Sequence, residues 1–227
     1  MTAIPLQRDV HYPESDGQPM AESDLHREEM TYLIQALQER FRNAPDVYVA
    51  GNLFLYYVQG DPRSVVAPDV FVVQGVSKRQ RRVYKLWEEG RAPVLIVEVT
   101  SDTTWEEDFL KKRACYEWLG VEEYLLFDPL GDYLSPRLQG FRLLAGRYQR
   151  IEPGEDGSIA SRTSGVTFRV EGPRLRLVDS ATGEILARDE ESREEARRER
   201  AVRLAAEERA RALEEEMARL RRKLERS

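Results

Sequence analysis

The apolar positions of this chain change period several times along its length, and each change marks an element. Met30, Leu33, Ile34, Leu37 and Phe41 recur at helical spacing. They predict a first helix capped by Ser23 or Asp24 and ended by the turn over residues 43–46. His26, four residues before Met30, continues the core-facing stripe. It is either a partly buried histidine bonded to backbone or a residue at the edge of a site. Strands are expected over 47–50, 53–58 and 65–73, punctuated by Gly51-Asn52 and by Gly60-Asp61-Pro62. In the third strand Pro68 fixes the backbone ahead of Asp69, and the apolar run Val70-Phe71-Val72-Val73 follows. That acid therefore sits at a defined strand edge.

The middle of the chain carries the clearest pattern. Val94-Leu95-Ile96-Val97 is a short run rich in branched residues, which reads as a central strand covered on both faces, and Glu98 ends it. Thr104-Trp105-Glu106-Glu107 has capping-box spacing. A helix is predicted from Thr104 to about Leu119, closed by Gly120 in a left-handed cap. A second strand over 123–127 ends at Asp128-Pro129. Strand, helix and strand of these lengths make a βαβ unit, with a parallel pair and a right-handed crossover. From Phe141 to Val178 shorter alternating runs, such as 166–170 and 175–177, predict an antiparallel extension with a turn over 154–157.

Beyond Arg188 the composition is almost entirely Glu, Arg, Ala and Leu. Glu194/Arg198, Glu199/Arg203, Glu207/Arg211 and Glu215/Arg219 are favourable i,i+4 pairs. Leu213, Met217, Leu220 and Leu224 have coiled-coil spacing. The tail is expected to be a long charged helix, either paired with a second copy as a homodimer or held alone by its charge pairs. The predicted organisation is an N-terminal arm over 1–23, a domain over 24–180 and the charged helix over 188–227.

Charge adds a constraint. Of 35 Lys+Arg and 41 Asp+Glu in 227 residues, the tail from 188 holds 13 and 12, leaving the body with 22 and 29, a net of −7. An acidic body argues against tight sequence-independent DNA binding, which depends on phosphate neutralisation by many cations. It leaves room for a local basic groove. One cysteine, Cys115, excludes an intrachain disulfide and a Cys-based zinc site. It reads as a small buried side chain rather than a catalytic thiol. The start lacks the basic-then-apolar order of a signal peptide, and no apolar run approaches about 20 residues. A soluble, cytoplasmic protein without a membrane partner is expected.

The chemistry concentrates in few residues. Asp69 and Glu98 each sit at the end of an apolar strand; on neighbouring strands they could share one hard divalent cation, Mg²⁺ first and Mn²⁺ second. Asp108, Lys112 and Tyr116 fall at i, i+4 and i+8 on the following helix. Lys112 would orient an attacking water or neutralise phosphate charge. Asp108 would hold the lysine, and Tyr116 would anchor the other side through its hydroxyl. Strand-end acids and Asp–Lys helix pairs are also common surface features. A second candidate is the basic stretch Lys78 to Trp87. Its Arg79, Arg81, Arg82 and Lys85, interleaved with Tyr84 and Trp87, suit a phosphate backbone and a base-stacking platform. The same stretch equally suits a solvated loop that packs Trp87 on the core. No phosphate-binding loop, GxSxG elbow or HExxH pair competes.

An ordered series of motifs sharpens this picture. Pro68-Asp69 is followed by Leu95-Ile96-Val97-Glu98-Val99-Thr100-Ser101, then by Asp108-Phe109-Leu110-Lys111-Lys112 with Tyr116. Gly120-Val121-Glu122-Glu123-Tyr124 and Phe127-Asp128-Pro129 complete it. The series, over roughly residues 20–144, resembles the Uma-two family, bacterial restriction-endonuclease-like proteins of the PD-(D/E)XK nuclease superfamily. The resemblance implies that Asp69 is the first acid and Glu98 the second, both metal ligands. The superfamily's lysine position, two residues after the second acid, is Thr100 here. The resemblance implies a migrated lysine, Lys112, whereas Lys111 points about 100° away round the helix. It also places His26 where the family tends to carry a histidine, and a supporting first-helix acid at Glu28 or Glu29.

The expected fold is therefore α/β, a restriction-endonuclease-like mixed central sheet flanked by helices, with the charged helix appended. The expected function is Mg²⁺-dependent hydrolysis of phosphodiester bonds in nucleic acid, DNA before RNA. Two rivals stand beside it. One is a catalytically silent nuclease fold that serves as a binding or scaffold module assembled through its C-terminal helix. The other is hydrolysis of a small phosphodiester by the same residues. The sequence contains no helix-turn-helix or zinc finger that would read bases.

Overall fold

Ser23, not Asp24, caps the first helix: its hydroxyl accepts the His26 N–H at 3.1 Å. The computed structural model describes residues 10–15, 23–101, 107–188, 191, 194, 197–204 and 209, the side chains of 107–109 excepted. Its Cα positions divide into two units, Met1–Leu186 and Ala187–Ser227.

In the first unit, α1 (Asp24–Arg40) is followed by β1 (Val47–Ala50), β2 (Leu55–Tyr56), β3 (Val65–Val66), β4 (Val70–Gln74) and β5 (Tyr84–Lys85). Next come α2 (Leu86–Glu89), β6 (Leu95–Val99), a π-helical segment (Glu107–Lys112), α3 (Arg113–Leu119) and β7 (Glu123–Phe127). Six further strands complete the unit: β8 (Leu138–Leu144), β9 (Arg147–Arg150), β10 (Ile159–Ser161), β11 (Val166–Glu171), β12 (Arg174–Asp179) and β13 (Ile185–Leu186).

The central sheet has the order β1-β4-β6-β7-β8-β9. Only β6 and β7 run parallel within it; the other pairs are antiparallel. That parallel pair is the βαβ unit expected from residues 94–127. Gly120 closes α3 at φ 80°, a conformation that any side chain would strain. Its N–H and that of Val121 return to the Glu117 and Tyr116 carbonyls.

Strict alternation puts two cores on the two faces of this sheet. Leu95, Val97 and Val99 of β6 pack with Leu33 and Leu37 of α1 and with Phe168 and Leu177 from the small sheet β10-β11-β12-β13. Ile96 of β6 packs on the other side with Phe71, Tyr84, Tyr116, Tyr124 and Phe141. Every residue of β6 and β7 is buried. Each large apolar side chain so buried contributes about 1.5–3 kcal/mol. The sheet is thus flanked by fewer helices than expected. One face carries α1 beside a second β-sheet, and the other carries the π/α3 segment beside the three-stranded sheet β3-β2-β5.

The strand expected over 65–73 is two strands in two sheets. β3 pairs with β2, while β4 pairs with β1 and β6. Pro68 lacks the N–H a continuous strand needs, and its carbonyl accepts the Asn52 N–H at 2.9 Å instead. The chain therefore steps from one sheet to the other across Ala67-Pro68-Asp69. In the second unit, residues 197–204 are helical and exposed, and Arg198 pairs with Glu194. The remainder of the expected tail helix, its coiled-coil seam and its pairing lie outside the described residues, as does the Thr104 cap.

Glu123, which the sequence marks only as the start of a strand, ties the central sheet to the β10-β11-β12-β13 sheet. Its side chain is 1% exposed. One oxygen accepts both Nε and Nη2 of Arg142, directly opposite on β8, at 2.8 and 2.6 Å. The other accepts the hydroxyls of Ser161 and Thr163 at 2.6 and 2.8 Å. Burial alone would raise this carboxyl, but the hydrogen bonds from Ser161, Arg142 and Thr163 lower it. Glu123→Ala leaves Arg142 unpaired and is expected to cost about 3–5 kcal/mol. Thermal denaturation should show a fall in melting temperature of about 10 °C. A change within 1–2 °C would remove this linchpin role.

Candidate active site

The register of β4 on β6 pairs Val70 with Val97 and Phe71 with Ile96. One step further, beyond the last paired residue, Asp69 falls opposite Glu98. Two acids 29 residues apart in sequence are thus cross-strand neighbours on one face. The Asp69 N–H donates to Glu98 Oε2 at 3.2 Å. Asp69 Oδ2 accepts the Val99 N–H at 2.8 Å. The chain has turned out of the ladder at Pro68, so this carboxylate takes the amide that a continuing strand would have taken.

Glu98 is fully buried and its two oxygens are held from one helical segment. Tyr116 donates its hydroxyl to Oε1 at 2.6 Å, and Lys112 Nζ lies 3.2 Å from Oε2. A lysine four residues before a tyrosine grips both ends of the carboxylate. Asp69 is the more open acid, 14% exposed, with His26 Nε2 3.4 Å from its Oδ1. Burial pushes its carboxyl up. The His26 hydrogen bond, the charges of His26 and Lys112 and the Val99 amide outweigh burial, so the group lies below its ordinary value. Asp69 is therefore ionised at neutral pH, beside a second acid, a lysine and a histidine.

Gly51 holds this arrangement from behind. A Cβ there would stand 2.0 Å from the Asp69 carbonyl oxygen and 2.6 Å from the Ile34 Cδ1. Only glycine lets the end of β1 lie against the Pro68-Asp69 step. The sequence marks Gly51-Asn52 as a turn; its role as the backing of Asp69 has no signal there beyond glycine itself.

The other candidates divide. Thr100, at the superfamily's lysine position, is buried, and its N–H and hydroxyl both turn to the Phe127 carbonyl, at 2.8 and 3.3 Å. Glu28 and Glu29, equivalent in the sequence, separate. Glu28 pairs with Arg174 at the surface, while Glu29 is buried and accepts the Leu175 N–H at 2.9 Å. Glu29 thus docks β12 on α1. The side chain of Asp108 lies outside the described residues. Asp128 of the Phe127-Asp128-Pro129 motif accepts four loop amides, those of Leu130, Gly131, Tyr133 and Leu134, and so shapes a turn. Burial pushes the Cys115 thiol up, opposed by a Tyr57 hydrogen bond, which leaves it a poor nucleophile.

The basic stretch needs correction at Arg81. Its side chain is 2% exposed, forks onto both Glu89 oxygens at 2.8 Å each and lies 4.2 Å over the Tyr48 ring. It is spent on the fold and does not face a phosphate. Arg79 also pairs with Glu89, Arg82 with Glu14 and Lys85 with Glu88. Arg79 and Arg82 are largely exposed and Lys85 is partly so. Arg79 and Arg81 border a groove of about 630 Å³ along β1 whose walls include none of Glu98, Lys112 or Tyr116.

Two outcomes are expected of substitutions here. Gly51→Ala should destabilise the fold by about 1–3 kcal/mol in denaturant unfolding, because the new methyl meets backbone rather than a flexible side chain. Lys112→Met should raise the Asp69 pKa, as read from carboxyl-carbon NMR. The sign follows from linkage. A depressed native pKa stabilises the fold above the unfolded value of about 3.9, and that contribution is lost as pH falls through the native pKa. Raising the native value flattens the loss. An unchanged Asp69 titration in Lys112→Met would uncouple the lysine from the acid pair.

Comparison with known proteins bears on the whole domain. Residues 1–172 match the model of the Uma2 family, described as "Putative restriction endonuclease". Among solved structures, a "putative nuclease belonging to DUF820 from Anabaena variabilis ATCC 29413" is similar, with 15% identity and a TM-score of 0.47, over 64% of this chain and 75% of that one. No curated protein matches. With most of its length matched by that model, the chain belongs to the Uma2 restriction-endonuclease family.

Proposed function

We propose that the protein is a divalent-metal-dependent endonuclease that hydrolyses phosphodiester bonds of DNA at the Asp69–Glu98–Lys112 cluster. The observation that carries this reading is the cluster's geometry. Two acids are in register across β4 and β6, and a lysine ammonium lies 3.2 Å from the buried one.

The donor set fits a hard cation. Mg²⁺ takes one or two carboxylates and leaves its other positions to water and substrate phosphate; Mn²⁺ accepts the same oxygens. Asp69 is ionised and reaches solvent, so an entering ion meets it first. Bound there, the ion would polarise the phosphate and lower the pKa of an attacking water. The rest is the work of the chain's own side chains. Tyr116 fixes Glu98 Oε1 and leaves Oε2 directed toward the lysine and Asp69. The Val99 amide fixes Asp69 Oδ2, while His26 stands at Oδ1. Lys112 supplies the positive charge that stabilises charge accumulating on the phosphate oxygens. His26, Tyr116 and Val99 position the acids rather than touch substrate. The exposed Arg79 and Arg82 and the partly exposed Lys85 are candidates for phosphate-backbone contacts.

The test is nicking of supercoiled plasmid with Mg²⁺ or Mn²⁺. Wild type should nick, and chelation should abolish the activity. Asp69→Asn, Glu98→Gln and Lys112→Met should each lower the rate by about 10²–10³, and Tyr116→Phe by about tenfold to a hundredfold. Equal rates in wild type and all four variants would sink the proposal.

A further inference from the structure

Beside Lys112 lies a cleft of about 530 Å³ whose other walls, Ser15 apart, are apolar or aromatic. Phe54 and Tyr56 come from the β2 segment, Val65 and Ala67 from the β3 side, and Pro13 from the N-terminal arm. The cleft is not an accident of a loose loop. The Tyr56 hydroxyl donates to the Pro13 carbonyl at 2.6 Å, and Phe54 meets Tyr56 edge-on at 6.1 Å. Tyr12 meets Tyr56 edge-on and Trp87 at a tilt, at 5.0 and 5.1 Å, with the Lys85 ammonium 4.9 Å from its ring. Tyr12 and Pro13 are thereby fixed beside the cleft. The opposite wall runs from Ala67 through Pro68 directly into Asp69, and Lys112 lies in both the cleft and the acid cluster.

We infer that this cleft receives an unstacked nucleobase next to the scissile phosphate, so that the preferred substrate is single-stranded or locally unpaired DNA. The inference rests on the nuclease reading above and deepens it. Size agrees: sites of about 300–1,000 Å³ with apolar walls and a few polar groups are the usual form of small-ligand pockets, and a base is small against 530 Å³. Chemistry agrees as well. A flat heteroaromatic ring gains from an aromatic wall whatever its sequence, and Phe54, backed by the buried Tyr56, offers one, while Lys112 stands between the cleft and the acid cluster. A paired duplex keeps its bases stacked and offers this cleft nothing; inserting one costs a few kcal/mol of unpairing. Charge points the same way. Apart from Lys112, Lys85 beside Tyr12 is paired with Glu88 and Arg82 with Glu14, and the body is acidic. A contact built on base stacking is less dependent on phosphate neutralisation than duplex binding is.

The experiment is fluorescence anisotropy of the full chain with a labelled 12-nucleotide single strand and the matching 12-bp duplex, divalent cations chelated so that neither is cut. Wild type should bind the single strand at least tenfold more tightly. Phe54→Ala should weaken single-strand binding by about 5- to 100-fold, the loss of one stacking contact, with duplex binding unchanged. Phe54→Trp should restore it. Circular dichroism of each variant shows whether it is folded, and the Phe54→Trp result keeps the test decisive if Phe54→Ala unfolds. Equal affinity for the two probes, or equal weakening of both, overturns the inference. Plasmid nicking by the same preparations separates the two readings. Nicking without single-strand preference overturns the cleft alone; single-strand preference without cleavage under any metal overturns the nuclease reading alone.

Discussion

One buried carboxylate organises the molecule's candidate chemistry. Glu98 lies one residue from the end of the fully buried strand β6 with no exposure to water, where an unpaired charge would cost several kcal/mol. The sequence must therefore supply partners, and it does so from one segment. The hydroxyl of Tyr116 and the ammonium of Lys112 close on its two oxygens, and the Asp69 amide reaches it across the strand pair. Much of the surrounding architecture follows from bringing these groups together. The parallel β6-β7 pair requires a crossover, the crossover delivers the lysine and tyrosine, and the sheet-switching step at Pro68 delivers the second acid.

This dependence explains what was legible in the sequence. Asp69, Glu98, Lys112 and Tyr116 stand out because each breaks or ends a clear pattern: a proline before an apolar run, an acid closing a strand, a helical stripe. The βαβ unit is legible because two short apolar strands flank a stretch with helical spacing, a capping box and a closing glycine. The lysine's absence at Thr100 is legible only as a departure. Its physical account needs the structure, where the hydroxyl and amide of Thr100 are taken by β7.

What escaped is of a different kind. That residues 65–73 form strands in two sheets depends on Asn52 capturing the Pro68 carbonyl, a contact between residues sixteen apart. Gly51 acts through an empty volume, which no residue pattern encodes. Glu28 and Glu29 are alike in sequence and differ only in which one β12 happens to reach. Arg81 looks like its neighbours in a basic run, yet a glutamate eight residues later and a tyrosine on β1 claim it. The π-helical segment at Glu107–Lys112 also replaces the first turns of the expected α-helix, so the i, i+4 stripe was a guide to Lys112 and Tyr116 rather than a description of the whole face.

The sheet also holds a control for the argument from burial. Glu123, on the neighbouring strand, is as enclosed as Glu98 and has as many partners, yet it reads as structural. The difference lies in the kind of partner and in the end of the strand. An arginine fork and two hydroxyls pin Glu123 at the start of β7. Glu98 sits at the carboxyl end of a parallel strand, the side on which open α/β sheets present ligand sites. It is held by a point charge that can turn toward a phosphate and faces an ionised, partly exposed aspartate. Burial with good partners identifies a group the fold has to satisfy. Burial beside an open, charged neighbour identifies one that an incoming ion or phosphate can still engage.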